Sequence, residues 1–138
     1  MPLRPHTARL IQTITAVTRA LIRPQHQPHF HLHLPHAANM STAARLKGKT
    51  IIITGASSGI GRSCALEFAR TQPDDLKLIL TARRFDTLKE VAKEIGEFAK
   101  GVKVHPVKLD VSKIEEIEAF VGNLPEEFKQ VDVLVNNA

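Results

Sequence analysis

The chain has 138 residues, a single cysteine and a formal net charge of +5. One cysteine excludes an internal disulfide framework, and the length suffices for one domain with a real core. The excess charge sits in Arg4, Arg9, Arg19, Arg23 and Arg45, whereas residues 47–138 hold fourteen Lys/Arg against fourteen Asp/Glu. A basic nucleic-acid-binding face is therefore not expected, and no stretch approaches the roughly 20 apolar residues of a membrane span.

Residues 1–46 differ from the rest: they contain no acidic residue and are rich in Pro and His. They are expected to form a basic, His/Pro-rich disordered leader. Within them Leu10, Ile14, Val17 and Leu21 share one helical face, with Arg9, Arg19 and Arg23 at polar positions. An Arg-rich, acid-free amphipathic segment has the character of a mitochondrial transit peptide. The alternative is an unstructured leader, or sequence upstream of a start at Met40, which would leave the product cytoplasmic. Composition leaves both open. His26, His29, His31, His33 and His36 lie among Pro24, Pro28 and Pro35 with no nearby Cys or carboxylate, so no functional metal site is expected there.

The globular part begins near Leu46. Thr50 to Ile53 is apolar and β-branched, as in a strand buried on both faces. Gly55, Gly59 and Gly61 follow at G-x-x-x-G-x-G spacing, and then an apolar period runs through Ile60, Cys64, Ala65, Phe68 and Ala69. Strand, glycine turn and helix in this order suit a pyrophosphate. Gly55 permits the turn, Gly59 leaves no Cβ before the ligand, and Gly61 lets the helix approach the strand, while the helix N-terminus offers free N–H groups. Cys64, on the apolar helix face, is expected as a small core hydrophobe.

Turn residues at 71–75 lead to a second strand, Lys77 to Thr81. Asp86 or Thr87 is expected to cap a helix with Leu88, Val91, Ala92 and Ile95 inward. After Gly101, residues Val102, Val104 and Val107 mark a third strand, where Pro106 suits an edge or an irregular ladder. Ser112 and Glu115 have capping-box spacing before a helix with Ile114, Ile117, Phe120, Val121 and Leu124 inward. Val131 to Val135 is the fourth strand. Alternating strands and helices predict an α/β, Rossmann-like, doubly wound parallel sheet of order 3-2-1-4, with the ligand at the switch point between strands one and four.

The cofactor is chosen at the end of the second strand, where an acid would hold the ribose of NAD. Here that end carries Arg83 and Arg84 instead. Guanidinium groups bind a 2′-phosphate that a carboxylate would repel, so NADP(H) is expected over NAD(H).

Four pieces of sequence together carry a family resemblance: Thr54-Gly55-Ala56-Ser57-Ser58-Gly59-Ile60-Gly61, Ala82-Arg83-Arg84, Leu109-Asp110-Val111 and Asn136-Asn137-Ala138. From about Leu46 onward the chain resembles the first half of a short-chain dehydrogenase/reductase. More narrowly, Lys77 to Leu80 running into Ala82-Arg83-Arg84 is similar to the fungal NADP-dependent 3-hydroxy acid (serine/allo-threonine) dehydrogenases. The resemblance implies that Gly55, Ser57, Ser58, Gly59, Ile60 and Gly61 cradle the cofactor and that Asp110 bonds the adenine amino group, with Val111 beside the ring. It also implies that Asn136, Asn137 and Ala138 line the adenosine ribose and tie strand four to Thr54.

The family's reaction uses a tyrosine acid/base, a lysine four residues later, a serine on the carbonyl and an asparagine on the helix after strand four. This chain contains no tyrosine, and the glycine expected after Asn-Asn-Ala is missing. No catalytic residue is therefore assigned, and the 138-residue chain is expected to be inactive alone, an incomplete product whose fourth strand is an exposed apolar edge. The intact protein is expected to be an NADP-dependent oxidoreductase for a small-molecule alcohol or carbonyl, a 3-hydroxy acid being one candidate, and to form homo-oligomers. The competing expectations are a non-catalytic nucleotide-binding or interaction module and, behind it, a His-rich metal-binding protein.

Overall fold

The computed structural model describes residues 42–138. The leader's amphipathic face and histidine tract fall outside the described residues. In chain order the elements are α1 (Thr42–Leu46), β1 (Thr50–Thr54), α2 (Gly59–Thr71), β2 (Leu76–Ala82), α3 (Phe85–Phe98), β3 (Val102–Lys108), α4 (Ile114–Gly122), a 3-10 turn (Glu126–Phe128) and β4 (Val133–Val135).

All strand pairs are parallel, and the sheet runs β3-β2-β1-β4, the predicted order. β1 is buried over its whole length because both faces are covered. Ile51 and Ile53 join Leu78 and Leu80 of β2 under α2 and α3, where Ala65, Leu66, Ala69, Leu88, Val91 and Ile95 complete the larger core. Ile52 and Ile79 point the other way, into a smaller core with Leu124, Phe128 and Val131. That alternation is the period of two of a pleated strand. Each fully buried Ile, Leu or Val here contributes about 1.5–3 kcal/mol by leaving water. Pro106 pairs opposite Leu80 on β3, the outer strand of this sheet, where a missing N–H costs least.

Local signals misplaced several boundaries. α3 begins at Phe85, ahead of the expected Asp86 or Thr87 cap, with Arg84 at the N-cap. α4 is preceded by Lys113 without a side-chain cap, so the Ser112/Glu115 box does not form. Ile114, expected inside, is 40% exposed, and only Ile117 of α4 is fully buried. Ile60, in the first turn of α2, is 73% exposed. Cys64 packs at the core margin, half-buried. β4 starts at Val133, two residues later than expected; just before it, Asp132 donates its N–H to the Thr50 carbonyl and accepts the Thr50 N–H with its carboxylate, both at 2.9 Å. Among the described residues no helix is long and apolar enough to cross a membrane.

Candidate functional site

The chain reverses its winding between β1 and β4, so the loops at the C-terminal ends of the strands part there and leave a crevice. A cleft of about 720 Å³ opens over the C-terminal ends of the strands, running from the ends of β3 and β2 across β1 to Ala138 after β4. Three segments form its walls: the glycine turn (Gly55, Ser57, Ser58), the end of β2 (Thr81, Ala82, Arg83, Arg84) and the β3–α4 loop (Leu109 to Ser112), with Ala138 completing them.

The turn leaves β1 through Gly55 at φ +65°, bonds back to β2 through the Ala56 N–H on the Thr81 carbonyl (3.1 Å), and enters α2 at Gly59, φ +57°. A side chain is strained at either glycine. Nothing lies within 4 Å of where a Gly59 Cβ would be, so the backbone is bare towards solvent. Gly61 has the opposite surroundings: a Cβ there would stand 2.5 Å from the Gly55 carbonyl oxygen and 2.7 Å from Asn137 Nδ2.

Ser58 is the N-cap of α2, yet its hydroxyl makes no capping bond to its own helix. It accepts instead from Arg84 Nη2 at 2.8 Å, and Ser57 Oγ lies 3.5 Å from the same nitrogen. The helix N-terminus thus keeps free N–H groups, and a guanidinium is tethered beside them. Arg84 bonds uncharged hydroxyls, and among the described residues neither Arg83 nor Arg84 forms a salt bridge. Their charges stay available for an anion.

Across the cleft, Asp110 Oδ1 accepts from the Ser112 hydroxyl (2.7 Å) and the Ser112 N–H (3.0 Å). These bonds, with Arg83 and Lys113 contributing less, hold the carboxyl below the usual carboxylate range. Below the cleft, Thr54 Oγ1 accepts from the N–H groups of Asn137 (2.8 Å) and Ala138 (3.1 Å), fastening the end of β4 to β1. The Asn137 side-chain amide lies 3.4 Å from the Gly55 carbonyl.

The structure therefore brings Gly55, Ser57, Ser58, Arg83, Arg84, Asp110, Val111 and Ala138 to one cleft. Gly59 and Ile60 stand exposed at the mouth of α2, Gly61 and Asn137 support the turn from beneath, and Asn136 is exposed with its Oδ1 3.3 Å from Thr54 Oγ1. Sequence reasoning missed Thr81 and Ser112. Thr81 is fully buried, and its hydroxyl has no partner among the described residues. Its signal was a polar residue closing an apolar strand; that of Ser112 was its place two residues after an aspartate, the spacing of a side-chain turn.

The profile of the short chain dehydrogenase family matches residues 49–138. The chain belongs to this family. The NADP-dependent 3-hydroxy acid dehydrogenase of Schizosaccharomyces pombe is 55% identical over 95 residues, which are 69% of this chain and 36% of that protein. Sulfoacetaldehyde reductase 2 of Chromohalobacter salexigens is 42% identical over 88 residues, 64% of this chain and 32% of the relative. Among solved structures, L-sorbose reductase from Gluconobacter frateurii, complexed with NADPH and L-sorbose, superposes with a TM-score of 0.60 at 40% identity, covering 67% of this chain and 34% of that one. The chain thus spans about a third of the length of these short-chain dehydrogenase relatives.

The cleft can be tested against a dinucleotide phosphate on its own features. Bare backbone at Gly59, a helix start without a side-chain cap, two guanidiniums with no salt bridge among the described residues and an oriented carboxylate are the donors and acceptors that a pyrophosphate, a 2′-phosphate and an adenine require. The residues fit.

Proposed function

We propose that this chain is the cofactor-binding half of an NADP(H)-dependent oxidoreductase acting on a secondary alcohol or its carbonyl. The observation that carries it is Arg84, held 2.8 Å from Ser58 Oγ at the lip of the glycine turn with no salt bridge among the described residues. The glycine turn and the start of α2 bind phosphate through N–H groups, and Arg83 and Arg84 favour an added 2′-phosphate over a bare ribose. Bound nicotinamide supplies the hydride chemistry. The S. pombe relative's name supports a 3-hydroxy acid as the substrate class.

The chain has no tyrosine, which favours a second reading for these 138 residues taken alone: nucleotide binding without turnover. Charge reversal tests the cofactor. Arg84→Glu should turn a preference for NADPH into one for NADH in a competition titration, and an unchanged preference would contradict the proposal. Substrate class is tested by NADP-dependent oxidation of 3-hydroxy acids against simple secondary alcohols, using a protein that carries these residues with the family's remaining length. Equal rates on both would leave the oxidoreductase reading and remove the 3-hydroxy acid.

A further inference from the structure

Residues 1–41 lie outside the described residues, and the cofactor cleft leaves their sequence pattern without a role. Set at about 3.6 residues per turn, Leu10, Ile14, Val17 and Leu21 fall on one stripe, and Arg9, Arg19 and Arg23 fall away from it. Residues 1–46 hold no Asp or Glu and residues 47–138 are balanced, so the whole net charge of +5 lies in the first 46 residues. The structure shows where this charge joins the body. Gln72, 7% exposed, donates from Nε2 to the Ala43 carbonyl at 3.1 Å, and Leu46 packs against the larger core. α1 is thereby fixed at the N-terminal rim of the sheet. The five residues of β1, about 16 Å of strand, separate it from the cleft at the other rim.

We propose that residues 9–23 anchor this chain to the surface of an anionic lipid bilayer, tethering the folded body by the rim opposite its cleft. The apolar stripe enters the acyl boundary while the arginines meet lipid phosphates. A nucleic acid would use the arginines but leave the stripe in water; an anionic bilayer uses both. The balanced body adds no net attraction of its own, so attachment is assigned to the leader. Residues 24–41, with three prolines, reach up to about 60 Å when extended, enough for the body to stand clear of the lipid. The cleft opens away from the attachment point and stays accessible to solution. The inference is independent of which ligand the cleft takes.

The test is co-sedimentation of the full chain with two kinds of vesicle, phosphatidylcholine alone and phosphatidylcholine with about 30 mol% phosphatidylglycerol. Each arginine near an anionic surface adds about fivefold, so three predict a preference of roughly a hundredfold for the anionic vesicles, shrinking as salt rises. The triple variant Arg9→Gln/Arg19→Gln/Arg23→Gln should lose that preference. Ile14→Asn/Val17→Asn keeps the charge and should still bind at least tenfold more weakly than wild type, because the stripe no longer enters the acyl boundary. A dye on Glu115→Cys in a Cys64→Ser background, beside the cleft, should escape quenching by nitroxide-labelled lipid. Equal binding to both vesicles, or a preference that survives the triple variant, would overturn the inference. Full binding by the Asn variant would reduce it to charge attraction and overturn the anchor, and quenching at Glu115→Cys would overturn the opposite-rim tether. Import and shortening by isolated mitochondria without vesicle binding would show a leader read by protein, which also overturns it.

Discussion

The seam between β1 and β4 is closed by a polar side chain at each end of the sheet, and the two closures differ in kind. At the N-terminal rim Asp132 accepts the Thr50 N–H with one oxygen (2.9 Å) and pairs with Lys49 through the other (2.9 Å). Asp132 and Lys49 there stand beside each other as opposite charges. At the C-terminal rim Thr54 makes the tie with a neutral hydroxyl, and the nearby cations, Arg83 and Arg84, have no salt bridge among the described residues. One rim is finished by its own charges, while the other keeps its charges for something else. A carboxylate at the position of Thr54 would fasten the strands as well, but it would repel a phosphate.

The comparison breaks most severely at Gly61. Gly61→Ala forces a Cβ into the Gly55 carbonyl and the Asn137 amide, and should cost about 3 kcal/mol, read as a lower urea midpoint. A change within experimental error would mean that the turn is not packed against the end of β4. Next comes Thr54→Val, which keeps the shape and removes the acceptor for two N–H groups. It should cost about 2 kcal/mol and weaken NADPH together with stability.

Arg84→Ala should cost little stability and reduce NADPH affinity about tenfold, or about 1.4 kcal/mol, with NADH unchanged. Asp132→Ala is its mirror: about 1 kcal/mol of stability, because a half-exposed pair and one backbone bond are lost, with NADPH affinity intact. Loss of NADPH binding in that variant would erase the distinction between the rims.

The smallest effect lies away from both. Burial holds the pKa of His105, stacked on Phe128, below its ordinary 6.5, with Glu127 opposing. The folded state therefore binds a proton less readily than the unfolded one. The stability this provides is complete above 6.5 and lost as pH falls through the lower folded value. His105→Gln should flatten that part of the stability–pH curve, measured by urea titrations between pH 7.5 and 5.

Much of this was legible because it is local. A β-branched run, three glycines and an apolar helical period place β1, the turn and α2 within twenty-two residues of one another. Parallel order followed from strand–helix alternation, and the arginines from their place after β2. Depth was less legible than type. Ile60 and Ile114 obey the helical period, yet each sits exposed in the first turn of its helix, where period alone does not report burial. The start of α4 was misread because Ser112 spends both its donors on Asp110, a competition that residue propensities do not contain. The support of Gly55 by Asn137, eighty-two residues away, follows only from strand register.

The most direct measurement is a pair of calorimetric titrations of the full chain, with NADPH and with NADH, at one ionic strength. The account predicts NADPH tighter by about tenfold or more, with the gap closing in the Arg83→Ala/Arg84→Ala double variant. Comparable affinities for the two cofactors in folded wild type would contradict it.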